Sequence, residues 1–209
     1  MGPSLGRLLA NLVAAGVEPG AVDTVLLTHM HPDHANGLLT AGGAVAFPNA
    51  EVVVAEPEIA FWSDDGMLAR APADAKPFFE GARAAVKPYA GRLRRFSRDG
   101  DVLPGIAAVA APGHTPGHTM YRVVSGDAAL LILGDLVHSA ALQLPRPEIA
   151  PSFDVDPARG IESRRRVLDE VANSRTMVAG MHLGFPGIGH IMRDGHGFRF
   201  LPAIWSSEI

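Results

Sequence analysis

The segment Thr28–His34 carries the strongest chemical signal in this 209-residue chain. Its sequence, Thr-His-Met-His-Pro-Asp-His, places three histidines and an aspartate directly after a short apolar run. In extended backbone, residues two positions apart point the same way, so His29 and His31 can bind one metal ion together. The proline then turns the chain, which lets Asp33 and His34 face a second ion. A polar loop with incidental histidines is the plain alternative, but this spacing favours metal binding.

Three further segments offer metal ligands. The sequence Pro-Gly-His-Thr-Pro-Gly-His at 112–118 holds two histidines in a tight loop, where one could be a ligand and the other its supporting neighbour. Asp135 follows an apolar run and a glycine, and two roles are open for its carboxylate: it can cap a helix or bridge two metal ions. A glycine-rich loop over 180–190 adds two histidines behind another apolar run. The residues concerned are His114, His118, Asp135, His182 and His190.

Taken together, these side chains are the donor set of a two-metal hydrolytic site. Two ions about 3.5–4 Å apart lower the pKa of a bridging water, so that hydroxide is available at neutral pH. They also polarise a scissile carbonyl or phosphoryl oxygen and stabilise the charge that develops there. One ion would be bound by His29, His31 and His114, the other by Asp33, His34 and His182, with Asp135 between the two.

The composition limits what else the chain can be. It contains no cysteine, which excludes disulfides, thiolate nucleophiles and cysteine-based zinc sites. The 47% hydrophobic and 19% charged residues are typical of a soluble globular protein. A net charge of −4 argues against a nucleic-acid surface, and the arginine clusters at 92–98 and 164–166 are interpreted as solvated faces. With no membrane span or signal peptide visible, we expect a cytoplasmic protein without nucleic-acid or membrane partners.

The elements that must position these residues alternate between helix and strand, which predicts a mixed α/β (α+β) class. No linker is visible, so we predict one domain over residues 1–209. Helices are predicted at 3–15, 35–41, 56–90 (in pieces) and 156–173. Strands are predicted at 24–28, 51–55, 106–111, 119–124, 128–133, 176–180 and 197–202.

The metal motif resembles that of the metallo-β-lactamase superfamily, whose His-x-His-x-Asp-His sequence is matched at 29–34. Short sequence motifs outside 29–34 narrow the resemblance to the methyl parathion hydrolase branch, which includes organophosphate hydrolases, arylesterases and lactone-cleaving relatives. The motifs that carry this resemblance are Gly6-Arg7-Leu8, Ala46-Phe47-Pro48-Asn49-Ala50, Phe61-Trp62, the segment His114–His118 and the segment His182–His190.

This resemblance implies an αββα sandwich and a metal-bridging hydroxide that cleaves small esters, lactones or organophosphate triesters. It also implies two divalent ions, zinc in the first place, with Mn, Fe or Co as options. By this resemblance, His114 is the metal ligand of the loop at 112–118, and His182 is the metal ligand of the loop at 180–190. His118 and His190 are then expected to support the ligand residues without binding the metal. Asp33 takes a catalytic role, orienting the hydroxide and passing a proton to the leaving group.

The resemblance has further implications outside the metal motif. Trp62 and Phe79 fall where the branch lines its leaving-group pocket with aromatic residues, although such residues also pack in cores. His138 and His196 have no counterpart in the family motif. Family members carry additional N-terminal strands, so the chain is interpreted as N-terminally truncated relative to the family, either as a naturally short version or as part of a longer gene product. A bare apolar sheet face is prone to pair, and we therefore expect a homo-oligomer.

Two alternatives to the esterase, lactonase or phosphotriesterase function remain open. One is a short homologue that binds metal but is weakly active or inactive, because the loss of a structural support commonly costs a large factor in rate. The other is a different hydrolase of the superfamily, such as a thioesterase.

Overall fold

The computed structural model describes residues 6–205 of the chain. The chain divides into two compact units, residues 1–97 and 98–209, and each has its own sheet and apolar core. Both units combine helices with strands, which confirms the mixed α/β class. The single domain over residues 1–209 stays a prediction. Within residues 6–205, no helix has the length and apolar character that crossing a membrane requires.

The first unit is built on a parallel sheet with the strand order β1-β2-β3. The central strand is the run Glu-Val-Val-Val-Ala, and its three valines are fully buried, as β-branched residues in a covered parallel strand require. The strands are β1 (Thr24–Leu26), β2 (Glu51–Ala55) and β3 (Leu93–Phe96). The helices are α1 (Leu8–Ala14), α2 (Pro32–Ala35), α3 (Glu56–Ser63), α4 (Asp65–Arg70) and α5 (Lys76–Val86), with 3₁₀ helices at Pro19–Ala21, Asn36–Leu38 and Lys87–Arg92.

The second unit is built on a mixed sheet with the strand order β10-β9-β8-β7-β6-β5-β4. Its strands are β4 (Gly100–Leu103), β5 (Ile106–Ala110), β6 (Thr119–Ser125), β7 (Ala128–Ile132), β8 (Met177–Ala179), β9 (Ile188–Asp194) and β10 (Gly197–Pro202). Its helices are α6 (Ala140–Gln143) and α7 (Pro157–Ser174). Asp156 caps α7, because its Oδ1 accepts from the backbone N–H of Arg159, and Pro157 opens the first turn of the helix predicted at 156–173.

Most predicted elements are confirmed, but the predicted helix at 35–41 is misplaced. A helix begins earlier, at Pro32, because His31 stays extended and proline favours the first position of a helix. The chain then continues as a 3₁₀ helix that ends at Leu38. Of the predicted helix at 3–15, residues 3–5 lie outside the described part of the chain.

Three strands are not predicted from the sequence. Paired arginines in β3 and glycines at the beginning of β4 and near the beginning of β9 interrupt the strand pattern. The predicted loop over 180–190 therefore ends in β9, which makes His190 a strand residue.

Candidate functional site

The histidine-rich loop of the first unit follows β1 and runs into α2. His29 is buried, and the centroid of its ring lies 4.8 Å from that of His31 and 4.1 Å from that of His34. His31 keeps an extended backbone (φ −63°, ψ 154°) and Pro32 then starts α2, so the chain turns between the predicted ligands. Within α2, His34 Nε2 lies 3.5 Å from Asp33 Oδ2. The loop thus gathers the four ligands that the sequence predicts for this unit.

A buried carboxylate holds this loop in place. Glu58 of α3 is fully buried, and its Oε1 accepts hydrogen bonds from the backbone N–H of Met30 at 2.8 Å and from Trp62 Nε1 at 2.7 Å. The ring of Trp62 packs edge-on against His31, with centroids 5.4 Å apart. Glu58 and Trp62 are one helical turn apart, so α3 presents both to the loop. Sequence reasoning missed Glu58, because a single glutamate near the start of a helix carries no motif.

The aromatic residues predicted to line a substrate pocket lie in the core of the first unit. Trp62 and Phe79 are 3% and 4% exposed, and their ring centroids are 4.7 Å apart. Phe61 joins them, 5.1 Å from Phe79. Phe78, in contrast, is 41% exposed, and its ring lies 5.7 Å from that of His31. The core packing that the sequence left open is observed, and a substrate-binding role for Trp62 and Phe79 stays a prediction.

In the second unit, the histidine loop between β5 and β6 packs directly on α7. A Cβ atom at Gly113 (φ +135°) would lie 2.1 Å from the backbone nitrogen of Gly160, so this approach requires glycine. The N–H of Val155 donates to the carbonyl oxygen of His114 at 3.1 Å. These contacts fix the backbone of His114, which is buried.

Asp154 orients the ring of His114. Its Oδ1 lies 2.9 Å from His114 Nδ1, and both side chains are buried. Because a carboxylate only accepts, the proton of a neutral His114 is on Nδ1, and Nε2 presents a lone pair. That Nε2 lies 3.5 Å from Asp135 Oδ2. Two electron-rich atoms at this distance repel each other unless a cation joins them, so the donor chemistry fits a metal site.

Asp135 is the point where the histidines of the second unit converge. Its Oδ2 lies 3.1 Å from His138 Nε2, 3.2 Å from His182 Nε2 and 3.5 Å from His114 Nε2. Helix α6, the next along the chain, has Ser139 at its N-cap. Asp135 is therefore not a helix cap, and that alternative is wrong. Three of the predicted ligands, Asp135, His114 and His182, are brought together within this unit.

The two histidines predicted to support the ligands occupy different places. His118 is buried; its Nδ1 donates to the carbonyl oxygen of Ala111 at 3.0 Å, and its Nε2 accepts the backbone N–H of Asp135 at 2.9 Å. His118 thereby fixes the backbone of a predicted ligand. His190 lies in β9, opposite Met177 of β8. The supporting roles of both histidines stay predictions.

Arg164 does not belong to the solvated face predicted for the arginine cluster on α7. It is 2% exposed and donates to the carbonyl oxygens of Leu136, Pro147 and Ile149 at 2.8, 2.9 and 3.0 Å. Its guanidinium also lies 3.7 Å from Asp154 Oδ2. Burial lowers the pKa of Arg164, and the carboxylate of Asp154 opposes this shift. The prediction is wrong for this residue because consecutive positions on an α-helix point in different directions.

The chain belongs to the metallo-beta-lactamase superfamily, whose family model matches residues 1–182. Among curated proteins it is similar to an N-acyl homoserine lactonase of Bacillus thuringiensis. The two are 22% identical over 172 residues, which is 82% of this chain and 60% of the lactonase. The chain therefore spans 60% of the length of the curated relatives that it matches.

Two solved structures are similar to nearly the whole chain. One is AbOPH, described as a hydrolase in the beta lactamase superfamily, with 35% identity and a TM-score of 0.91. The other is AidC, described as a dizinc quorum-quenching lactonase in complex with a product, with 26% identity and a TM-score of 0.91. Each match covers 99% of this chain and 73% of the solved chain. These matches confirm the metallo-β-lactamase fold expected from the sequence.

Proposed function

We propose that the protein is a metal-dependent hydrolase that cleaves small neutral esters, lactones or organophosphate triesters. The observation that carries this proposal is the buried Oδ2 of Asp135, which faces the Nε2 atoms of His114 and His182 at 3.5 and 3.2 Å. Imidazole nitrogens around a carboxylate oxygen are a donor set that divalent transition metals prefer. The descriptions of AidC as a dizinc lactonase and AbOPH as a hydrolase support the same class.

The proposed cofactor is a pair of divalent ions, with zinc as the first candidate and Mn, Fe or Co as alternatives. Such ions, when bound, lower the pKa of a water and polarise the bond to be cleaved. The proposed ligands are the seven residues that match the family motif: His29, His31, Asp33, His34, His114, Asp135 and His182.

The other steps belong to side chains of the protein. Asp33 is the proposed proton carrier; its side chain is 46% exposed, so a proton can leave it towards solvent or a departing group. Asp154 accepts from Nδ1 of His114 and thereby fixes the tautomer of the neutral ring in which Nε2 carries the lone pair. His118 holds the backbone of Asp135.

The test combines metal analysis with a substrate panel. We expect about two equivalents of metal per chain and turnover of a p-nitrophenyl ester, an N-acyl homoserine lactone or paraoxon. Removal of the metal with a chelator abolishes turnover, and Asp135→Ala loses both metal and activity. Asp127→Ala, an exposed aspartate in the turn between β6 and β7, is the matched control and keeps both. Full turnover by metal-free protein contradicts the proposal.

The same panel separates the alternative functions. A protein that binds metal without turning over any substrate is the weakly active or inactive homologue. Faster cleavage of an acyl thioester than of the other substrates indicates a thioesterase. The homo-oligomer and the cytoplasmic location also stay predictions; light scattering that shows a compact monomer at micromolar concentration contradicts the oligomer.

A further inference from the structure

Helix α7 contacts the site loops of the second unit through one buried face. Gly160, Ser163 and Arg164 are buried, and their spacing of three and four positions places them on the same side of the helix. Ser163 Oγ donates to the carbonyl oxygen of Pro112 at 2.7 Å. The helix is therefore fastened directly to the loop that carries His114.

We propose that Arg164 is a positioning residue of the metal site, which holds His114 and Asp135 in fixed places relative to each other. This inference rests on the metal ligands of the proposed function, but it does not require that the protein turns over any substrate. Arg164 belongs to a helix and not to the loops that carry the ligands, so it acts on both ligands through the groups that lie between.

Arg164 reaches Asp135 through the carbonyl group of the next residue. Its Nε donates to the carbonyl oxygen of Leu136 at 2.8 Å, and Leu136 is buried. The backbone N–H of Asp135 itself donates to Nε2 of His118 at 2.9 Å. The chain is therefore held on both sides of the carboxylate, by His118 at the N–H of Asp135 and by Arg164 at the following residue.

Arg164 reaches His114 through the carboxylate of Asp154. Asp154 Oδ1 lies 2.9 Å from His114 Nδ1, and Asp154 Oδ2 lies 3.7 Å from Nη2 of Arg164. The side chain of Asp154 is 0% exposed, and its Oδ2 accepts no hydrogen bond from any residue between 6 and 205. The opposite charge of Arg164 offsets part of the cost of burying this carboxylate. Without the guanidinium, we expect Asp154 to turn towards water and to release His114.

The remaining contacts explain why this position needs arginine. Nη1 of Arg164 donates to the carbonyl oxygens of Pro147 and Ile149 at 2.9 and 3.0 Å. Gln143 Nε2 donates to the same oxygen of Ile149 at 3.1 Å. The planar guanidinium fixes the directions of its donors, whereas lysine offers a single ammonium group on a flexible stem. Lysine at this position would keep the charge but could not replace all of the contacts.

The experiment compares Arg164→Lys with Val171→Ala in the full chain by Co²⁺ titration. Val171 is 1% exposed and lies about 10 Å further along α7, so its truncation lowers stability without touching the contacts described above. We expect Arg164→Lys to lower the Co²⁺ affinity by about 10- to 100-fold, the usual effect of losing an outer partner of a ligand. We also expect its visible Co²⁺ bands to shift, because they report the arrangement of the ligands. Val171→Ala keeps both the affinity and the bands.

Two results overturn the proposal. One is a folded Arg164→Lys variant that binds Co²⁺ with the affinity and spectrum of the unchanged chain. The other is a loss of affinity in Val171→Ala as large as that in Arg164→Lys, which shows that lower stability alone weakens binding. Should Arg164→Lys fail to fold, Arg164→Gln, which keeps planar donors without the charge, takes its place in the same comparison.

A second measurement separates this proposal from the proposed function. If the unchanged chain binds no Co²⁺, the proposed metal site is contradicted, and the tautomer of His114 then tests Arg164 by itself. In the metal-free protein, ¹⁵N NMR of the neutral imidazole distinguishes a proton on Nδ1 from one on Nε2. We expect the Nδ1 tautomer alone in the unchanged chain and a mixture of both tautomers in Arg164→Lys. The same single tautomer in both proteins overturns the proposal.

Discussion

Replacing Arg164 by methionine is predicted to destabilise the second unit strongly. The substitution removes three hydrogen bonds to carbonyl oxygens and leaves the carboxylate of Asp154, which is 0% exposed, without its ion pair. Breaking a buried pair by removing one partner typically costs about 3–5 kcal/mol, because the remaining charge stays desolvated. Since methionine fills much of the same volume, little of this loss comes from a cavity.

Urea unfolding of the metal-free protein, followed by far-UV circular dichroism, measures this effect. The matched control is Arg165→Met, the same substitution at the next position of α7. Arg165 is half-exposed and lies 3.7 Å from the exposed Glu148, so its loss is expected to cost less than about 0.5 kcal/mol. Equal stability of the two variants would refute the buried arrangement of Arg164.

Metal affinity tests the role of Asp154, the buried carboxylate that faces Arg164 and also contacts the ring of His114. Asp154→Asn keeps an oxygen that can accept from His114 Nδ1 but removes the charge that makes the imidazole a better ligand. We expect metal affinity to fall by about 10- to 100-fold, as is usual for the outer partner of a ligating histidine. An unchanged affinity in a folded Asp154→Asn variant contradicts the role given to Asp154.

Two other positions allow equally direct tests. Glu58→Ala leaves the N–H groups of Met30 and Trp62 without their acceptor, and we expect the free energy of unfolding to fall by at least about 2 kcal/mol. Glu58→Gln keeps an acceptor oxygen and is expected to restore most of that loss. Equal urea midpoints for the two variants contradict the role of Glu58. Gly113→Ala places a Cβ 2.1 Å from the backbone nitrogen of Gly160, so we expect this variant to prevent folding of the second unit or to lower its melting temperature sharply. Gly184→Ala is the control, because a Cβ at Gly184 meets open space, and it is expected to leave the melting temperature nearly unchanged.

The sequence predicts well those features that local patterns determine. The apolar run of β2 and the Asp-Pro start of α7 both specify their elements without help from distant residues. The motif at 29–34 predicts metal ligands from spacing alone, and the structure brings these residues together in one loop. The later loops supply His114, Asp135 and His182, which the resemblance to the superfamily singles out from their neighbours, and the structure brings these three together as well.

The features that the sequence does not predict depend on distant partners. Asp154 and Arg164 acquire their roles only because the loop carrying His114 folds against them. Glu58 is significant only because a backbone N–H from another segment reaches it. His138 is three positions after Asp135, a spacing that predicts a contact in a helix but nothing in a loop. A long-range contact made by a single polar residue produces no periodic pattern in the sequence, so it cannot be predicted from such patterns.

The order in which these residues are synthesised has a consequence for when the side chains around Asp135 can meet. His114 meets its partner Asp154 across 40 positions, and Asp135 meets His182 across 47, whereas Asp135 and His138 are neighbours. Such distant pairings are expected to form later than local ones, because closing a long loop costs entropy before the contact stabilises the chain. A chain that is still being synthesised therefore contains only the local pair of Asp135 and His138 until His182 has been added, so the full cluster around Asp135 assembles only after most of the second unit has been made.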